Sequence, residues 1–394
     1  SGQPYLVQYN LTAERQLPDD MALSVSYVGS RGRNLFTIRE FNWNIPLSIT
    51  NGIEFWGPDP SVLRRINSNW GTAAMVTAGA DSWYNSLQLE VTKRVSHGLE
   101  FQGTYTWSQS LDTAQAQQYS NDCGINAPGS THGVDPIFPI HDRGPSCTDQ
   151  PHDLSLNILY HFPNIKSDSL ASKILQGWWI GNIVSIQSGL AFAPNVVGLI
   201  SNSGVFAGDQ GDRPNLVTAA NLAAAKAVNP SAVVYNHSTI DAGGNANQWF
   251  NPNMFTLLGP NAKAKCDDAT DANGNPIDPV NPAGLVYGDT THFNPTCYFG
   301  YLGDAGRDML RGPGLRTWDF SLGKDTPLRV LGEAAKVQFR AELFNILNHP
   351  NFGLPNGTIF AGNVSNELPL GNAGQITYTN TTSRQIQFAL KVIF

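Results

Sequence analysis

Charge is scarce in this sequence. Asp, Glu, Lys and Arg make up 14% of the 394 residues, against roughly 25% in ordinary soluble domains. Hydrophobic residues are not in excess either, at 41%, so Asn, Gln, Ser, Thr and Gly must cover much of the surface. The net charge of −7 supplies no basic stripe, which argues against nucleic acid as a partner. Long apolar runs are missing too. The best candidate, 177–200, is interrupted by Asn182, Ser185, Gln187 and Ser188, and Pro194 would break a helix there. No signal peptide precedes Ser1, which stands just ahead of a strand pattern. A piece of a longer chain is expected.

Signatures of chemistry are equally sparse. No His-Glu-x-x-His occurs and no two histidines stand at i, i+4. Gly-x-Ser-x-Gly and phosphate-loop patterns are absent, so neither an enzyme nor a cofactor is expected. His132, His141 and His152 share a region with Asp135, Asp142 and Asp153. A metal site is one reading of them; scattered loop polarity is preferred. Asp267, Asp268, Asp271, Asn273 and Asn275 form an acidic turn, but Gly274 is misplaced for a calcium loop and the twelfth position lacks Glu. Arg311-Gly312-Pro313-Gly314, with Arg307 and Arg316 nearby, reads as a turn entering a strand.

Cysteines number four, none in a Cys-x-x-Cys. Cys123 and Cys147 lie in one polar Gly/Pro-rich stretch and Cys266 and Cys297 in another. Disulfides made in an oxidising compartment are expected. Three connectivities are open, and the two local pairings are preferred.

What the sequence does have is turns, from 38 Gly and 25 Pro, and alternation with period two. Tyr5, Val7, Tyr9, Leu11 and Ala13 alternate with polar neighbours, and Leu23, Val25 and Tyr27 follow the turn Pro18-Asp19-Asp20. Leu87, Leu89 and Val91 pass through Ser96-His97-Gly98 to Leu99, Phe101, Gly103, Tyr105 and Trp107. Further stripes are Leu154–Phe162, Trp178–Ile186, Trp318–Leu322, Val337–Leu343 and Ile386–Phe394. Nine strands result. Short connections (16–21, 95–98, 163–176, 325–335) alternate with long ones (30–82, 109–152, 190–315, 347–372), so the long loops share one end.

Long strands, segregated loops and aromatics at strand ends (Tyr105 and Trp107; Tyr160 and Phe162) predict an antiparallel transmembrane β-barrel. Its apolar face would meet outer-membrane lipid. Glu14, Glu90, Glu100, Asp153, Asp319 and Glu342, with Arg340 and Lys391, would face a polar lumen. An odd strand count implies an incomplete barrel, provided 374–378 is not a further spanning strand. A short surface helix is expected within Ala219–Val228.

The last strand, Arg384–Phe394, resembles the C-terminal assembly signal of outer-membrane proteins. Leu310-Arg-Gly-Pro-Gly314 followed by Trp318–Leu322 is similar to Oar-like TonB-dependent receptors. So are Tyr84–Leu89, Asp142-Arg-Gly-Pro145, Gln187-Ser-Gly189, Gly211-Asp-Arg-Pro-Asn215, Phe339–Asn345 and Asn348–Gly353. The resemblance implies a barrel of about 22 strands closed by a plug, with TonB driving uptake of a nutrient. Residues 1–394 would be its C-terminal part, about nine long strands with long extracellular loops; no plug and no TonB box are visible. The ligand is unknown. The competing expectation is a secreted, disulfide-stapled β-protein that binds glycans or cell surfaces. Trp249, Phe250 and Tyr298 would then stack on sugars or merely pack the loops.

Overall fold

The computed structural model describes residues 2–57, 63–114, 135–163, 174–198, 200–205, 212–236, 246–259, 300–328, 335–362 and 367–394. Nine long strands run in chain order as one antiparallel sheet: β1 (Tyr5–Leu17), β2 (Met21–Glu40), β3 (Ala74–Ser96), β4 (Leu99–Asp112), β5 (His152–His161), β6 (Trp178–Gln187), β7 (Leu315–Pro327), β8 (Lys336–Phe344) and β9 (Gln385–Ile393). Gly144–Pro145 extends the sheet beside the end of β4. The predicted strands and their order stand. Residues 374–378 form no strand.

Turn chemistry fixes the register. β3 and β4 close through His97-Gly98, both with positive φ (51° and 80°), the hand that suits a two-residue hairpin. A Cβ at Gly98 would fall 2.3 Å from the His161 carbonyl oxygen. Asp19 and Asp20 take the same left-handed conformation between β1 and β2.

The register collects all the apolar stripes on one face. One row across the strands reads Ala13, Val25, Leu89, Tyr105, Leu154 and Ile186; another reads Leu99, Tyr160, Ile180, Leu322, Ala341 and Phe388. The interruption Asn182 falls on this face and accepts a hydrogen bond from the Trp318 indole at 3.0 Å. Among the described residues no protein layer covers the face: Leu11 is 75% exposed and Phe388 71%. Phe388 stacks on Phe339 but remains open to the surroundings.

Glu14, Glu90, Glu100, Asp153, Asp319, Arg340, Glu342 and Lys391 all fall on the opposite face, in the expected register. Most of the partners among them are wall groups. Gln102 donates to Glu90 at 2.8 Å, Arg340 meets Glu342 at 3.4 Å, and Asp319 accepts from the Asn345 amide at 2.8 Å.

One expectation needs correction. β2 and β3 run well past the expected limits, so their connecting loop is 41–73 and not 30–82. The pair rises beyond the other strands and packs against the loops there: Thr37, Ile38, Glu40 and Ala80 are buried. Thr37 and Ile38, neighbours on opposite faces, are both buried, so β2 there loses the two-faced alternation used to find its limits. For Phe250 the sequence left two readings open, a sugar platform or loop packing. It is fully buried, so it packs the loops instead.

Phe250 belongs to the main dry core, which lies outside the sheet. Phe192, Val196, Ile200, Phe250, Met254, Phe255, Leu257, Ala305, Leu310, Ile359 and Phe360 form it, all from the loops after β6 and β8. Four short pairings stitch this cap: Ala191–Phe192 with Leu310–Arg311, Asn195–Val196 with Thr358–Phe360, Asn215–Leu216 with Phe255–Thr256, and Ser48–Thr50 with Ile53–Phe55. The helix in the longest loop spans Leu222–Val228.

Candidate functional site

Three Asp–Arg pairs latch the cap to the rim of the sheet. Arg307 is fully buried and donates to both the carboxylate and the carbonyl of Asp112, at the end of β4. Arg213 meets Asp142 at 3.1 Å, both buried. Arg311 meets Asp149 at 2.6 Å and donates to the Gly189 carbonyl at 2.7 Å. The described parts of the segments singled out in the sequence, Asp142–Pro145, Gln187–Gly189, Asp212–Asn215 and Leu310–Gly314, thus converge on one structure. Gly189 lies so close to Gly312 that a Cβ there would sit 1.8 Å from its carbonyl oxygen. Asn345 and Asn351 brace the loop after β8: Asn345 bonds the His349 amide and carbonyl, and Asn351 receives the Arg316 amide at 2.7 Å. Arg311–Gly314 leads from the Leu310–Arg311 pairing into β7, the turn into a strand expected there.

Beside this latch lies a cavity of about 340 Å³, lined by residues that include Gly52, Glu54, Asp135, His141, Arg213 and Asp304. Asn51-Gly52, with φ of 55° and 78°, turns the short hairpin that carries Glu54. Phe55 and Trp56 pin that hairpin: the Phe55 ring lies 4.7 Å from Tyr301, and the Trp56 amide donates to the Gly300 carbonyl at 2.8 Å.

Asp135 precedes the one-turn helix Pro139–Asp142, and His141 lies within it. One Asp135 oxygen accepts from the amides of Ile137 (2.9 Å) and Phe138 (2.7 Å), and the other meets His141 Nδ1 at 2.7 Å. Asp142 accepts from the Asp135 amide at 3.1 Å while holding Arg213. Glu54, Asp135 and His141 offer ligand atoms that all lie within 4.8 Å of one another. Glu54 and Asp135 are buried, whereas His141 reaches solvent.

Burial pushes the Glu54 carboxyl up to about 7, and the nearby Asp135 carboxylate adds to the rise. Asp142 is raised by burial too, against the pull of Arg213. Asp212, buried in the cap, is pushed up to about 6 by burial, although the Ser201 amide donates to it at 2.5 Å.

Of the six His and Asp residues grouped in the sequence, Asp135, His141 and Asp142 come together. His152 is on β5, bonded to Tyr105 at 2.8 Å. Asp153 belongs to the wall, and His132 lies outside the described residues. So do the acidic turn 267–275, Tyr298, Cys123, Cys266 and Cys297. Cys147 is described and buried. Glu54 was missed by sequence reasoning, although the Asn51-Gly52 turn between Ile49 and Ile53 marked its hairpin.

A family model described as "Outer membrane beta barrel domain" matches residues 1–387. Among solved structures the chain is similar to the outer membrane transporter YddB from Escherichia coli. The identity is 10% and the TM-score 0.39, over 99% of this chain and 32% of that one. The chain thus spans about a third of that transporter's length, and at this level the likeness carries no argument. No curated protein matches.

Proposed function

The chain belongs to the outer membrane β-barrel family, and from that premise we propose that it is barrel wall of a TonB-dependent receptor that takes up a nutrient. One observation carries this reading. The sheet keeps its apolar stripes on one largely exposed face and its polar residues on the other, while the main dry core sits in a cap on the loop end. Hydrocarbon suits the first face, a wet lumen the second, and ligand capture outside the cell the third.

The segments similar to Oar-like receptors support the finer assignment, because several of them build the latch under the cap. A plug and TonB would be its partners, with Arg340 and Glu342 on the face that would hold the plug. Disulfides Cys123–Cys147 and Cys266–Cys297 would staple two of the outer loops. Catalysis is no part of this reading. The outer-membrane location leaves the secreted glycan binder without support.

Deleting the chain's gene and deleting TonB should abolish growth on the same limiting nutrient. A nutrient requirement for this chain that persists unchanged without TonB would refute the proposal.

A further inference from the structure

We infer that Glu54, Asp135 and His141 bind one divalent transition-metal ion of the zinc class at the wall of the cap cavity, with a coordination position left open toward that cavity. This does not depend on the import reading.

The donors are two carboxylates and one imidazole, an oxygen-nitrogen set that suits zinc and its first-row neighbours, whereas calcium and magnesium take oxygen alone. Ligand atoms about 2.0–2.2 Å from a common ion lie roughly 3–4 Å from each other. The observed spacing, within 4.8 Å, reaches that by small side-chain rotations. The hydrogen bond between His141 Nδ1 and Asp135 is the contact an ion would replace, with a proton released.

A second observation points the same way. Glu54 is 3% exposed, and its Oε1 is buried with no hydrogen-bond partner among the described residues. A buried carboxylate oxygen without a donor is costly, and an ion is one of the few occupants that repays it. Arg213, which shares the cavity wall, is committed to Asp142.

Outer-shell support is in place. The Ile137 and Phe138 amides orient Asp135, and the His141 ring packs 5.5 Å from Phe138. Exposure of His141 gives an ion a path in. Three protein ligands leave a fourth position, as in open zinc sites, and the cavity of about 340 Å³ has room for water or a donor atom of a bound molecule.

The test titrates the metal-free protein, held in detergent micelles, with Zn²⁺ and with Co²⁺. One equivalent should bind, and the cobalt form should show visible ligand-field bands. H141A should weaken binding by about 100-fold or more, and E54Q by at least about tenfold. H97N, changed at the opposite end of the sheet, should bind as the unaltered protein does. His141 is exposed, so H141A is the informative variant should E54Q fail to fold. The inference is overturned if no equivalent binds, if H141A binds normally, or if Ca²⁺ competes equally with Zn²⁺.

Discussion

Leu156 is the place to challenge the lipid-facing assignment. It sits mid-strand on β5, between Gly103 of β4 and Val184 of β6 on the apolar face. Its neighbour Ser155 points to the other face, between Thr104 and Ser185. An arginine on the lipid face of a barrel costs about 2–4 kcal/mol at the midplane and about 0–1 near either interface. L156R should therefore lower the folding equilibrium in vesicles by roughly thirty-fold to several hundred-fold. S155R enters a wet, polar surface and should cost under about 1 kcal/mol. L99R, at the turn end of the same face, should fall between them. The assay is reversible denaturant unfolding of the protein in lipid vesicles, followed by tryptophan fluorescence. Equal costs for L156R and S155R, or no decline from Leu156 to Leu99, would refute the reasoning.

Four shorter expectations follow. R307M leaves Asp112 buried without its partner, which should cost about 3–5 kcal/mol and open the cap to protease while the wall stays resistant. F250A should cost about 3–5 kcal/mol through the same cap, read by hydrogen exchange in the loops; unchanged exchange would deny Phe250 its packing role. Asp212 titrates near 6 when folded, above its unfolded value. Its contribution to cap stability is thus complete at low pH and lost as pH rises through about 6. Protection factors in the cap should fall as pH rises from about 4 to about 6 and level off above, and D212N should flatten that profile. Finally, peptide mapping without reductant should link Cys123 to Cys147 and Cys266 to Cys297; a crossed pattern would reject the local pairing.

The wall was readable because lipid and water divide its residues in strict alternation. Stripes such as Leu99–Trp107 and Ile386–Phe394 fixed strand, face and order together. Where β2 and β3 rise above the other strands, Thr37, Ile38 and Glu40 are all buried, so the division vanishes and so did the limits. The cap was not readable as a core. Its side chains come from segments as far apart as Phe192 and Phe360, and no local period links them. Asp135 and His141 were close enough in sequence to be grouped, but Glu54 arrives from another loop. Only tertiary structure brings the three together.

The cap has a bearing on how such a chain reaches its final place. Its eleven buried side chains are drawn from two loops that β7 and β8 separate. Nine come from the first loop and two, Ile359 and Phe360, from the second, so the cluster is complete only once both loops are in place. Withdrawing either loop would wet part of that cluster again, so a closed cap opposes the return of both.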